Sequence, residues 1–393
     1  MKFKTEYDVI VIGGGPGGCV AAQYAARDGA SVLLLERHRE IGVPVRCAEA
    51  AGAAGLLEFF DPDHWIIRKY IKKFQIRFVS PNGTVLDLNH NTEAAVLDRK
   101  IFDHELGRMA SEAGAQIVTG ANATGLIIEN DRVKGVKFEY SGKKLSVRCK
   151  IVIGADGIES RIGRWAGLDT KADFSDMESC AQYTISDESI ENDRLIFYFG
   201  SNVAPTGYLW VFPKADGTAN VGLGVNGTNS KNKKAQSYLD SFVDSHYPHV
   251  SVLNKTCGGV ICSQTLDRIS GNGFMIVGDA AHQTNAVSGG GIVNAMKAGR
   301  IAGKVSASAS NKGDTGADYL SEYDREWYRV QGKMNKKFYK IKQIIDKISD
   351  ETLDDIALKL SDKPEKKRTL VNIFKHALIG NPGLILELPR LFS

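Results

Sequence analysis

The chemistry most plainly written in this 393-residue chain is phosphate capture. In Gly13-Gly-Gly-Pro-Gly-Gly18, the glycines at 13, 15, 17 and 18 leave bare backbone that a pyrophosphate can approach, and Glu36 stands 18 residues after Gly18, where it can accept from a ribose hydroxyl. An acid at that position favours FAD or NAD over NADP, because it would repel a 2′-phosphate. Two more acids sit in similar settings: Asp156 in Ile151-Val-Ile-Gly-Ala-Asp-Gly157, and Asp279 in Phe274-Met-Ile-Val-Gly-Asp-Ala-Ala-His282, which leads to Gly289-Gly-Gly-Ile292. A thiol, Cys47, lies in Val45-Arg-Cys-Ala-Glu49, and a dense aromatic run occupies Pro205-Thr-Gly-Tyr-Leu-Trp-Val-Phe-Pro213.

These residues need particular elements to hold them. Tyr7–Ile12 is a β-branched, apolar run of the kind that forms a strand buried on both faces, Cys19–Arg27 has helical periodicity, and Ser31–Glu36 is a second buried strand ending in the acid. Strand, glycine turn, helix, strand and acid in that order predict a dinucleotide-binding unit, which a glycine motif alone would not. Phe74–Leu88 and Glu178–Val225 alternate apolar and polar residues, as antiparallel strands with one exposed face do. On such a strand Tyr208, Trp210 and Phe212 point to one face, either as an aromatic wall for an apolar ligand or as ordinary core.

The expected fold class is α/β: a Rossmann-type domain with an inserted antiparallel β-sheet domain and a C-terminal helical region. The dinucleotide domain is discontinuous (1–75, 99–172 and 265–310), the substrate domain takes 76–98 and 173–264, and the helical region takes 311–393. Six cysteines scattered without C-x-x-C spacing predict a reducing, cytoplasmic setting and no metal site. With the first strand beginning at Tyr7, no signal or transit segment is expected. No apolar run approaches the ~20 residues of a membrane span, so membrane contact is expected to be peripheral.

The motifs together resemble those of FAD-dependent hydroxylase-like flavoproteins. Asp156 resembles the Asp of their "DG" motif, Asp279 that of their "GD" motif, and Arg99 in Asp98-Arg-Lys-Ile-Phe-Asp103 the start of their R-x-x-F-D helix. Within that group, Pro205–Pro213 resembles the P-x-x-Y-x-W-x-F-P signature of geranylgeranyl reductases, and Val45–Glu49 their R-x-C-x-E turn beside the flavin. Ala286 stands where the pattern has proline. The resemblance spans roughly residues 7–300 and implies FAD as cofactor, held by Gly13, Gly15, Gly17, Gly18, Glu36, Arg46, Cys47, Ala48, Ala50, Arg99, Ala123, Asp156, Asp279, Gly289, Gly290, Gly291 and Ile292. It implies an oxidoreductase acting on CH–CH groups, saturating geranylgeranyl chains of archaeal ether phospholipids in membrane lipid biosynthesis.

Tyr208, Trp210, Phe212 and, from the tail, Val371 are then the substrate-binding candidates. Cys47, Tyr208 and Trp210 are the catalytic candidates, with Cys47 either a proton donor or a packed neighbour of the flavin. His282 reads as structural. Two other readings stay open: an aromatic monooxygenase, and a non-catalytic prenyl-lipid binding protein of the same fold. The electron donor is ferredoxin or NAD(P)H, since no second complete G-x-G-x-x-G appears.

Charge is uneven. Met1–Tyr328 carries 36 basic and 38 acidic residues, whereas Arg329–Ser393 carries 14 and 8. Between Arg329 and Lys347, seven basic residues interleave with apolar ones, which predicts an amphipathic helix either resting on anionic lipid or packed on the protein. Nothing upstream is built to read nucleic acid.

Overall fold

The computed structural model describes residues 3–214, 216–369, 372, 373 and 376. Internal packing divides the chain into two units: Met1–Val45 with Arg99–Ala172 and Ile261–Lys336, and Arg46–Asp98 with Asp173–Val260 and Lys337–Ser393.

Elements are numbered along the whole chain. The first unit holds the strands β1 (Glu6–Ile12), β2 (Val32–Leu35), β6 (Gln116–Val118), β7 (Ala121–Glu129), β8 (Arg132–Tyr140), β9 (Lys143–Gly154), β15 (Ser270–Gly271) and β16 (Phe274–Ile276). Its sheet runs β15-β16-β9-β1-β2-β6, parallel from β16 to β6, with β7 and β8 continuing antiparallel from β9. The β-branched run at the N-terminus becomes the central strand: Val9 lies between Val32 and Ile151 in register, and Val9, Ile10 and Val11 are fully buried. Of its helices α1 (Pro16–Arg27), α4 (Arg99–Glu112), α5 (Arg161–Trp165), α7 (Ile292–Lys312) and α8 (Ala317–Trp327), α1 and α7 touch backbone to backbone. A Cβ on Gly299 would lie 2.3 Å from the Gly17 carbonyl oxygen, and one on Gly303 would lie 2.5 Å from that of Ala21.

The second unit holds β3 (Ala50–Gly52), β4 (Ile71–Val79), β5 (Val85–Val96), β10 (Met177–Ser186), β11 (Arg194–Tyr198), β12 (Tyr208–Pro213), β13 (Ala219–Asn226) and β14 (Ser251–Ile261), in the order β14-β10-β13-β12-β11-β4-β5-β3. Its helices are α2 (Ala53–Leu56), α3 (Trp65–Tyr70), α6 (Ala235–His246) and α10 (Asp350–Ser361). The residues 46–75 pack here and not with the dinucleotide unit, because Ala50 pairs with Val96 and β4 pairs with β5 and β11. The expected exposed face is also missing on β12 and β13. Leu209, Val211, Val221, Leu223 and Val225 pack against Leu239, Phe242 and Val243 of α6, and the opposite face packs Trp210 and Phe212 with Phe74, Ala94, Val96 and Leu195.

After α8 the tail passes through a π-helical turn, Tyr328–Gly332, into α9 (Lys333–Ile345). Its basic face is largely engaged by the protein: Arg329 pairs with Glu326 at 2.5 Å and Lys336 with Asp267 at 2.8 Å. Lys342 is buried and pairs with Asp346 at 2.6 Å. Of the two readings of this helix, packing on the protein accounts for these ion pairs, while Lys333, Lys340 and Lys347 are exposed.

Candidate functional site

Each unit carries one constellation, and each is described within its own unit.

In the first unit the phosphate-capturing turn is built where β1 hands over to α1. Gly13 has φ +106°, and a Cβ there would sit 2.2 Å from the Ala155 carbonyl oxygen, so only glycine allows β1 and the end of β9 to close up. A Cβ on Gly18 would overlap the Gly13 carbonyl oxygen at 1.9 Å, whereas one on Gly15 would meet nothing within 4 Å. The turn is thus closed behind and open in front. Gly15 is the N-cap of α1 and contributes no side-chain cap, which leaves the first amides of that helix to a ligand. Gly291 caps α7 in the same uncapped manner, after Gly289 at φ +66° and Gly290, whose N–H donates to Ser288 Oγ; Ile292 opens the helix.

Three acids surround these turns. Glu36 Oε2 accepts from the Gly14 N–H at 2.7 Å and Oε1 from the His38 N–H at 2.8 Å, so the acid also fixes the turn itself. Asp156 Oδ2 accepts from the Ile162 N–H at 3.0 Å, while Oδ1 is buried with no hydrogen-bond partner. Burial raises the pKa of both Asp156 and Asp279. For Asp279 that rise is opposed by the Thr284 hydroxyl, at 3.0 Å, and by the charges of Arg99 and His282. Arg99 opens α4 and forks onto both oxygens of Asp103 at 2.6 and 2.7 Å. Ala123 is a core residue clustered with Ile12 and Leu35. His282, at φ +53°, has one ring nitrogen 2.8 Å from Ser263 Oγ and the other 3.1 Å from the Thr170 carbonyl oxygen, in keeping with a structural role.

An open glycine cradle, two uncapped helix starts and a buried orphan carboxylate oxygen fit an extended dinucleotide carrying phosphates and ribityl hydroxyls, such as FAD. The back of this cradle was not foreseen from sequence. Asn335 on α9 is buried and donates to the carbonyls of Gln283 (2.9 Å) and Thr284 (3.3 Å), and Asn294 donates to the Gln283 carbonyl at 2.8 Å.

In the second unit Tyr208, Trp210 and Phe212 form one aromatic cluster, in which Trp210 and Phe212 are buried. The rings of Tyr208 and Trp210 are 5.8 Å apart and those of Trp210 and Phe212 6.3 Å, with Phe197 lying 5.6 Å from Tyr208 and 5.3 Å from Phe212. Ala48, Ala50 and Cys180 pack on the same cluster, which brings the Arg46–Ala50 turn and the wall together. A Cβ on Gly258 of β14 would lie 3.6 Å from Arg46 Cβ. Val371 lies outside the described residues.

Polar residues that sequence reasoning missed tie this turn down. Trp210 Nε1–H donates to Gln182 Oε1 at 3.0 Å, and Gln182 Nε2–H donates to the Cys47 carbonyl at 3.0 Å. Buried Glu49, at φ +72°, pairs with Lys214 at 2.7 Å, accepts from Asn220 Nδ2 at 2.6 Å, and its own N–H donates to Cys47 Sγ at 3.2 Å. The only sequence signal for these partners is that Lys214 and Asn220 flank the turn leaving the aromatic motif.

At the far end of β10, burial pushes the Glu178 carboxyl up to about 8, and its Oε2 has no hydrogen-bond partner. Burial likewise pushes the Cys180 thiol up to about 12. All six cysteines are free thiols, and no cluster of metal-binding side chains occurs among the described residues.

A parallel sheet with a glycine cradle, joined in one chain to a sheet with an aromatic, thiol-bearing face, defines a flavoprotein oxidoreductase with FAD as cofactor. Residues 176–260 match the geranylgeranyl reductase catalytic domain, and residues 8–200 match glucose inhibited division protein A. The chain is 45% identical to the digeranylgeranylglycerophospholipid reductase of Methanocella arvoryzae, over 98% of this chain and 99% of that one, and 41% identical to that of Methanosarcina acetivorans, over 100% and 97%. A geranylgeranyl bacteriochlorophyll reductase-like protein from Thermoplasma acidophilum superposes with a TM-score of 0.89 at 34% identity, covering 98% of this chain and 99% of that one. A flavin-dependent brominase, at 18% identity and a TM-score of 0.72 over 98% and 93%, shares the fold. The chain belongs to the geranylgeranyl reductase family.

Proposed function

We propose that this chain is an FAD-dependent reductase that saturates the isoprenoid double bonds of geranylgeranyl chains in archaeal ether phospholipids. The observation that carries this reading is the wall of Tyr208, Trp210 and Phe212 inside the segment matching the geranylgeranyl reductase catalytic domain. A prenyl chain offers no hydrogen-bonding handle, so an apolar face must hold it by burial, at about 0.8 kcal/mol per CH₂. Full-length similarity to digeranylgeranylglycerophospholipid reductases supports the substrate class, and supports reduction over aromatic monooxygenation or passive prenyl-lipid binding.

Reduced FAD supplies a hydride when bound. The protein's own residues must hold the alkene, exclude water and deliver a proton. Tyr208, Trp210 and Phe212 perform the first two tasks. Cys47 delivers the proton: its turn packs beside the wall, and the Glu49 N–H on its sulfur stabilises the thiolate left behind. Cys47→Ala then retains FAD and loses alkene reduction, and full turnover in that variant would remove Cys47 from this role.

The reading itself is tested by incubating the reduced protein with 2,3-bis-geranylgeranylglyceryl phosphate and following the lipid by mass spectrometry. Stepwise gain of two hydrogens per double bond is expected; an unaltered lipid with a fully reduced flavin would overturn it.

Electrons arrive from ferredoxin or from a transiently docked NAD(P)H, and stopped-flow reduction of the bound flavin by each distinguishes them. No described helix is long and apolar enough to cross a membrane. Contact with anionic lipid, as part of this proposal, falls to exposed lysines, Lys333, Lys340 and Lys347 among them.

A further inference from the structure

We propose that Gln182 is a positioning residue for the cysteine turn, acting as a two-sided amide that locks Cys47 to the aromatic wall. Three strands create the arrangement. In register, Gln182 of β10 faces Gly222 of β13, and Gly222 faces Trp210 of β12. A Cβ on Gly222 would lie 2.6 Å from Trp210 Cζ2 and 2.8 Å from Gln182 Cβ, so the missing side chain is the space through which the indole reaches across one strand to the amide. On its other side the amide reaches the Cys47 carbonyl, 135 residues away in sequence.

The chemistry leaves one orientation. Indole Nε1–H can only donate and a backbone carbonyl can only accept, so Oε1 must face Trp210 and Nε2 must face Cys47. Both bonds are 3.0 Å, and Gln182 and Trp210 are buried, which makes each lost partner costly. Glutamine is the residue that satisfies both ends without charge. The same turn is fixed on its far side by Glu49, through Lys214 and Asn220, and the Glu49 N–H reaches the sulfur. Cys47 is therefore held from two directions, and Gln182 is the link by which an aromatic wall filled with ligand is felt at the thiol. This inference rests on Cys47 serving the reaction, but its first readout does not.

The test uses full-length, FAD-loaded protein and follows iodoacetamide labelling of the Cys47 peptide by mass spectrometry, without substrate. Gln182→Met keeps the bulk and removes both hydrogen bonds; it is expected to change the Cys47 labelling rate several-fold and to lower kcat roughly ten- to a hundred-fold with KM little moved, as misplacement of a reacting group does. Gln182→Glu supplies the rescue. Protonated, the carboxylic acid accepts from Trp210 and donates to the Cys47 carbonyl; ionised, it repels that carbonyl. Its labelling rate relative to wild type should approach unity at low pH and depart from it as pH rises.

A Gln182→Met protein with wild-type Cys47 labelling and kcat, merely melting at lower temperature, would overturn the proposal, as would a Gln182→Glu ratio independent of pH. If Cys47→Ala proves active while labelling still responds to residue 182, the proton-donor reading fails and the positioning of the turn stands.

Discussion

Gly222 has no side chain because Trp210 occupies its place. Adding one methyl sets a Cβ against the indole and against the Ala181 carbonyl oxygen at 2.8 Å, neither of which is the loose end of a flexible side chain. Gly222→Ala should therefore cost about 1–3 kcal/mol, as overpacking does, and should shift the Trp210 fluorescence; an unchanged melting temperature and spectrum would show that the wall can yield. Glu178 makes a different prediction. Its carboxyl is raised from the ordinary 4.5 to about 8 by burial, with Lys342 opposing the rise. Between those values the folded protein holds a proton that the unfolded chain has lost, so this group's contribution to stability declines as pH climbs through that window and levels off above it. Relative to wild type, the melting temperature of Glu178→Gln should rise from about pH 5 to about pH 8, and a flat difference would place the proton elsewhere. The glycine turn, Asp156, Asp279 and the aromatic motif were legible in the sequence because each sits in a local pattern of strand, turn and helix. Gln182, Glu178 and Asn335 were not, because their partners are set by sheet register and helix packing between distant segments.

Among the elements, α1 and α7 depend most on each other. Gly17 and Gly299, with Ala21 and Gly303, let the two helices approach until backbone meets backbone, and both helices start at glycine turns of the cradle. Gly299→Val would force them apart at the Gly17 carbonyl and so displace the turn that begins α1. Loss of flavin on gel filtration from an otherwise folded protein is the expected result; full retention would mean the cradle tolerates the separation. The sequence placed β1, α1 and β2 within a residue or three of their observed bounds, since buried parallel strands read as continuous apolar runs. It misjudged β12 and β13, whose alternation suggests one wet face, because glycines at 222 and 224 mark where neighbours cross and not where water reaches. For α9 the amphipathic pattern left two settings open, and part of its polar side is paired with Asp267 and Asp346.

At the scale of the whole molecule, the charge excess of the last 65 residues reaches the surface, among the described residues, at Arg329, Lys333, Lys340, Lys347, Lys359, Lys363, Lys366 and Lys367. Removing residues 329–393 would strip Asn335 from the Gln283 and Thr284 carbonyls and so confound any lipid measurement with damage to the cradle. Point changes avoid that. Lys333→Glu, Lys340→Glu and Lys347→Glu together should weaken co-sedimentation with anionic vesicles, most clearly at low salt, while leaving flavin content untouched; undiminished sedimentation would remove these three lysines as the lipid contact.

The bracing by Asn335 also sets an order in time. In chain order the Gly13 turn is made first, β9 and Asp156 follow, and β16, α7 and finally Asn335 come after them. Until then β9 lacks β16 beside it, α1 has no α7 against it, and the Asp279 loop has no backing. A cradle braced on every side thus exists only after Asn335 has been made, and until then the nascent chain must keep the apolar strands already made from aggregating without that bracing.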